Sequence, residues 1–445
     1  MKHILLTVLT ALAFCSYAQD DPLTSNQKDL FDLSLEELLE VDVVDRNFYL
    51  YGYINSNLQK TFSYPYRAGD LVLQKDDPLE WTPVKNFHIY SQGNLSPRVS
   101  FLFNLARNGE TLEIRNAWGN FVVIPEALQV RVGRMYRKFG LYNERLDQVP
   151  TFIGIEPPEM FDTDHLFLER TTNFMIHGSW ENSSHKISYA VMTDNGENGP
   201  APNVVPLGWD LRFKSFLNSF IVGTSGYMSS ITDGRVSSTV ALGSGSPRGG
   251  VLPWMAGDHF TVVGFFLEKQ IGRLLIQSEY YTARHDALRD PESVLTVVTN
   301  AGINEKQRAR FLGSNAAKDD AALVPEDVVQ PVTFNVQTWY IRLGYDIQTR
   351  TGQFVPYLFL DWMRNPEVIQ NKKYGGDEES GLADDGKFLK PSIGVVYRPI
   401  PSVAVKMDGS YHTQLFNGKT ITYPELRLDF SFAFSNSSLE KALGK

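Results

Sequence analysis

Residues Glu425 to Phe434 read E-L-R-L-D-F-S-F-A-F. Leu426, Leu428, Phe430, Phe432 and Phe434 take one parity, and Arg427, Asp429, Ser431 and Ala433 take the other. A strand places alternate side chains on opposite faces, so this segment has one apolar and one polar face. Similar segments recur along nearly the whole chain. Ahead of them stand a basic start, Met1-Lys2-His3, an apolar stretch from Ile4 to Phe14, and a small-x-small step, Ser16-Tyr17-Ala18. The expectation is a signal peptide cleaved after Ala18. The apolar run is too short for a spanning helix, and no later run reaches about 20 apolar residues. Exported strands with one apolar face predict a transmembrane antiparallel β-barrel.

The strand pattern predicts about sixteen strands, near 48–58, 85–93, 98–107, 110–122, 127–136, 172–180, 185–194, 208–217, 219–230, 258–269, 272–284, 334–347, 353–363, 388–398, 402–413 and 422–434. The connections alternate in length. Short ones include 94–97, 125–127, 181–184, 270–273 and 398–401; long ones cover 59–84, 137–171, 195–207, 231–257, 285–333 and 364–387. Barrels of the outer membrane have short periplasmic turns and long outer loops, so the short turns are assigned to the periplasm. Four divisions follow: a signal peptide over 1–18, an N-terminal periplasmic segment over 19–46, a barrel over 47–434 and a tail over 435–445. In the second, Leu30, Leu33, Leu35, Leu38 and Leu39 fall on helical spacing, and Ser34 to Glu37 forms a capping-box pattern. A short amphipathic helix is expected there. Within 285–333, Asp290-Pro291-Glu292 reads as a helix start.

Cys15 is the only cysteine, so the cleaved chain has no disulfide and no thiolate metal site. The net charge of −9 argues against nucleic acid. Neither H-E-x-x-H nor G-x-S-x-G occurs. Gly381 to Lys387 spells G-x-x-x-x-G-K, but Phe388 stands where Ser or Thr is required. Asp377, Glu378, Glu379, Asp384 and Asp385 lack a recognised calcium spacing. No cofactor, metal or catalytic residue is expected.

By strand parity the lumen receives Arg115, Arg131, Lys186, Arg212, Lys214, Arg342, Arg398, Lys406 and Arg427, with the acids Glu113, Asp210, Glu279, Asp346, Asp361, Asp408 and Asp429. Arg137 and Lys138 open the loop that follows. The candidate pore-lining or constriction residues are Arg115, Arg131, Arg137, Lys138, Arg212, Lys214, Arg342, Lys406, Arg427, Glu113, Asp210 and Asp361. Four of these cations, Arg115, Arg131, Arg137 and Lys138, are expected to converge near one level of the pore. Rings of basic side chains favour anions; pairing across strands is the plainer alternative. Arg134 breaks the parity of its strand, through a bulge at Gly133 or a register one residue off.

The stretch from Val130 to Leu141, V-R-V-G-R-M-Y-R-K-F-G-L, resembles the strand-to-loop passage of Gram-negative outer-membrane porins. It is closest to the phosphate-selective porin family, where a basic and aromatic stretch runs into F-G-L. Leu112 to Phe121 and Gly394 to Pro399 also look similar. The resemblance implies a sixteen-stranded, water-filled pore passing small hydrophilic solutes or ions. It allows a homotrimer. Outer-membrane lipid, lipopolysaccharide and the barrel assembly machinery are the implied partners. The third outer loop of the family folds inward to narrow the channel, and here that loop is 137–171. Its acids outnumber its bases, unlike a phosphate site. The family's last strand normally ends the chain on an aromatic residue, whereas Ser435 to Lys445 follow Phe434. The rival readings are a structural or docking barrel with a closed lumen and, less favoured, an outer-membrane enzyme.

Overall fold

The computed structural model describes residues 48–68, 71–108, 111–161, 170–196, 204–231, 252–376, 380–416 and 418–436. The signal peptide, the expected helix of 19–46, the acids at 377–379 and the tail beyond 436 lie outside them. Sixteen antiparallel strands form the wall. They are β1 (Phe48–Thr61), β2 (Glu80–Ser96), β3 (Val99–Asn108) and β4 (Thr111–Ile124). Next come β5 (Leu128–Tyr136), β6 (Arg170–Glu181), β7 (His185–Asp194) and β8 (Leu207–Ser215). β9 (Phe220–Ile231), β10 (Met255–Ile271), β11 (Leu274–Arg289) and β12 (Pro331–Tyr345) follow. The last are β13 (Gly352–Arg364), β14 (Lys387–Ile400), β15 (Val403–Phe416) and β16 (Lys419–Ser435). Each pairs with its sequence neighbour, and β1 pairs with β16 from Tyr51↔Ser435 to Thr61↔Glu425. The ring closes, so the wall has no free edge to satisfy.

Alternation decides which way each strand faces. On β16, Leu426, Leu428, Phe430 and Phe432 stand exposed outside, while Glu425, Arg427, Asp429 and Ser431 are buried inside. Exposed apolar faces of this extent suit hydrocarbon rather than water. Aromatic rings bound the apolar zone. Trp339 and Trp362 lie 6.4 Å apart at the loop end, and Phe354 stacks on Tyr397 at the turn end. From Phe354 to Trp362 the strand rises about 27 Å at about 3.4 Å per residue. At the tilt of such barrels that is about 20 Å along the membrane normal. Beyond the Trp pair the outer faces of β10 to β12 turn polar, with His259, Arg284, Asp286, Thr333 and Asn335 exposed. This part of the wall stands clear of the hydrocarbon.

Arg134 obeys the parity after all. Arg131, Gly133 and Met135 face inward, and the pairing of β5 runs unbroken from Gln129↔His177 to Tyr136↔Arg170. No bulge sits at Gly133, and Arg134 is exposed on the outer face near the end of its strand. Gly133 (φ 136°) is needed because a Cβ there would lie 2.2 Å from the Ala117 carbonyl.

Two helices rise in the 290–330 loop, α1 (Pro291–Asn300) and α2 (Glu305–Leu312). The Asp290 side chain caps α1 by accepting from Ser293 N, and Pro291 fills the first helical position. A hairpin of strands 64–68 and 71–75, within a stretch expected to be plain loop, stands over β1 and β2. These segments and the described residues of 365–386 form a lid. Arg289 donates in a fork to both oxygens of Glu367, each at 2.8 Å. Asn371 donates to Ala301 O, and Gln370 to Tyr64 Oη and Pro65 O.

Candidate functional site: the inward loop and its charged wall

The chain leaves β5 and turns into the barrel. Arg137 sets the turn. Its guanidinium donates to Asp194 at 2.7 Å and to Tyr227 Oη at 2.8 Å, and it lies 4.0 Å over the Tyr227 ring. Gly140 follows with φ 62°, where a Cβ would strike the Glu279 carboxylate. Its N–H donates to Ser225 Oγ, and Leu141 N–H donates to Glu279 Oε2 at 3.0 Å. Glu279 also accepts from Tyr340 and Tyr281, so this buried acid is fully used.

The loop then crosses to the other walls. Asp147 accepts from Arg115 at 2.9 Å, and its carbonyl accepts from Tyr90 Oη at 2.8 Å. Lys406 donates to Val149 O and Gly154 O, and Arg398 to the carbonyls of Pro150, Thr151 and Phe152. Arg342 reaches Tyr142 Oη at 3.3 Å and Glu156 O at 3.2 Å, with Phe359 4.2 Å below its guanidinium. Glu156 takes Lys390 at 3.1 Å and is paired closely with Arg427. Glu159 takes Lys390 as well, while its N–H donates to Asp361 at 2.7 Å. Loop 137–161 is thus fastened to strands around the ring and packs most densely against β10 to β16.

The candidate residues divide accordingly. Arg342, Lys406, Arg427 and Asp361 are buried fastenings of the loop, and Arg137 is its hinge. Of the four cations expected to converge, Arg115, Arg131, Arg137 and Lys138, two are held in ion pairs. Arg137 is spent on Asp194, and Arg115 is held between Glu113 at 2.7 Å and Asp147. Asp210 holds Arg212 at 2.6 Å and accepts from Ser225. Arg212 also meets Glu144 at 3.0 Å and Gly140 O. Lys214 lies opposite Lys186 in the register of β7 and β8, toward the turn end. Arg131 is stacked at 4.1 Å on Trp118. Beside it, Asn120 bonds both Gln129 and His177 at 2.8 Å.

The loop's own charges answer this field. Burial pushes the Glu144 carboxyl up, but Lys138, Arg212 and Arg131 outweigh it and bring its pKa down to about 2. Glu156 likewise resists burial and is held well below the ordinary carboxylate range by Arg427, Lys390 and Lys85. At Lys138 the Glu144 carboxylate favours the charged form, yet burial and the nearby Arg212 and Arg131 leave its pKa below the usual lysine value.

Sequence reading missed the acceptors. Arg398 of β14 and Lys406 of β15 bind main-chain oxygens of 149–154, for which no residue type is required. The one signal available was the pair of glycines, Gly140 and Gly154, both at positive φ.

No family model matches the chain, and no curated protein matches it. Solved structures do. An anion-selective porin from Comamonas acidovorans superposes with a TM-score of 0.51 at 8% identity, covering 87% of this chain and 99% of that one. Salmonella typhi OmpF, in complex with daunomycin, gives 0.48 at 11% identity over 87% and 97%. The outer-membrane channel DcaP of Acinetobacter baumannii gives 0.47 at 10% identity over the same shares. Nothing among them singles out the phosphate-selective subgroup. The fold of this chain is the sixteen-stranded barrel of Gram-negative outer-membrane porins.

Proposed function

We propose that this protein is a non-catalytic diffusion pore of the outer membrane, passing small hydrophilic solutes through an off-centre, water-filled lumen. The short turns face the periplasm in this reading, and the lid faces outward. One observation carries it. Charged side chains inside the closed ring keep part of their surface accessible: Glu113 at 36%, Glu144 at 34% and Arg145 at 31%. Groups enclosed by a barrel keep such exposure only beside water. Arg131, Lys138 and Lys214 add positive charge on the β5 to β8 side, where Arg212 is already paired with Asp210 and Glu144 and Lys186 with Glu181, and they favour anions as solutes. The number of fastenings on loop 137–161 favours a second reading, a docking barrel whose lumen is shut. Single-channel recording in a planar bilayer separates the two. Stepwise, ohmic conductance supports the pore, and insertion without conductance supports the closed barrel.

A further inference from the structure

The lid holds an open cavity of 440 Å³, within the size range of small-molecule sites. The hairpin contributes Tyr64, Tyr66 and Lys75; the α1–α2 junction contributes Ile303 and the first turn of α2 Gln307; loop 365–386 contributes Ile369 and Lys373. Tyr64, Gln307 and Ile369 are buried and make the floor, while Lys75 and Lys373 are exposed at the rim. No Asp or Glu is among the described residues lining it. The Lys75 ammonium sits 5.4 Å over the Tyr64 ring and 5.9 Å from that of Tyr66.

The half-buried Tyr66 ring offers a ring-shaped solute a stacking surface, above a floor in which Tyr64 lies buried under the Lys75 ammonium. Two ammoniums at the rim offer its carboxylate a charged hydrogen bond. Among the described residues Lys75 pairs with Asp77 at 3.3 Å, in a solvent-exposed pair. Such pairs are worth little, so a solute carboxylate displaces Asp77 at small cost. The site is built rather than incidental. Gln370 braces the Tyr64 hydroxyl, and Asn371 ties the loop to Ala301. The floor also leads inward: Tyr64 meets Tyr423 edge-on at 5.3 Å, and Tyr423 stacks on His412 of the inner wall at 4.5 Å.

We infer that this cavity is a capture site for small solutes bearing a carboxylate on a ring, such as a sugar acid or an aromatic acid. The inference stands apart from passage through the lumen, since binding is read without current. The test is calorimetric titration of the purified full-length protein in detergent with galacturonate, benzoate and neutral galactose. Saturable binding of one or both acids, with none of galactose, is expected. The stronger binder tells whether the ring is a sugar or an arene. Lys75→Ala with Lys373→Ala should weaken binding about tenfold, and Tyr66→Leu should weaken it without changing the charge. Lys269→Ala, at the far end of the barrel, should leave it unchanged. Binding of neither acid, equal binding of galactose, or an affinity lost on Arg131→Gln but kept in the double lysine variant would overturn the inference.

Discussion

Lys406→Met removes one fastening of the lumenal loop while keeping side-chain length. The Lys406 ammonium is buried and donates to Val149 O at 2.5 Å and Gly154 O at 3.0 Å. Charge-assisted hydrogen bonds contribute about 1.5–3 kcal/mol each, or about 3–6 kcal/mol for the two. Burying the ammonium costs part of this, and Met escapes that cost. Asp429, opposite Lys406 in the register, keeps its donors Asn55 and Ser431. The net loss falls on the docked loop and is about 2–3 kcal/mol. That shifts the ratio of docked to undocked loop by about 30- to 150-fold. In planar bilayers the variant should show a larger mean conductance and added fluctuations between levels, and Lys406→Arg should restore the quiet state. Heat-modifiable migration reports that the barrel has folded. A folded Lys406→Met barrel with wild-type conductance and noise would refute the view that these carbonyl contacts hold the loop.

Three further outcomes are expected. Arg131→Gln should move the zero-current potential across a salt gradient toward cations, most at low salt, because screening reaches about 10 Å at 0.1 M; Arg115→Gln removes the cation between Glu113 and Asp147, leaves both acids uncompensated and should move it the same way, and no shift in either variant would remove both residues from the selectivity site. Glu144 has its carboxyl depressed to about 2, so its contribution to docking is complete above the unfolded value of about 4.3 and is lost as pH falls through about 2. Conductance traced downward in pH should stay level to about pH 4 and change only nearer pH 2; a transition near pH 6 would point to another group. Phe430→Arg puts a charge on the apolar outer face and should cost about 2–4 kcal/mol near the midplane, read as a lower yield of heat-resistant barrel.

The wall was legible in the sequence because lipid and lumen impose period two on every strand. All sixteen expected strands overlap observed ones, and the inward residues named on β8, β12 and β16 do face inward. Asp290-Pro291 announced α1 because cap chemistry is local. The interior was less legible. Parity put Arg342, Lys406 and Arg427 in the lumen but did not distinguish a charge that meets water from one that meets a carbonyl 252 residues away in sequence. The inner position of Asp429 therefore does not make it a permissive site: it is buried with two donors of its own. The 64–75 hairpin escaped notice because its short strands carry no clean alternation.

Fastening through main-chain oxygens has a consequence for how such a pore can diversify. Lys406 and Arg398 hold the segment from Val149 to Gly154 by atoms common to every amino acid. Phe152 and Ile153 of that segment are packed in the core, but the half-buried loop positions Glu144 and Arg145 can be exchanged without touching these two anchoring cations. The anchoring cations and the solute-facing letters become separable traits. A library randomised at the loop's water-facing positions on a constant wall would sample new permeabilities while starting, in nearly every member, from a loop already in place.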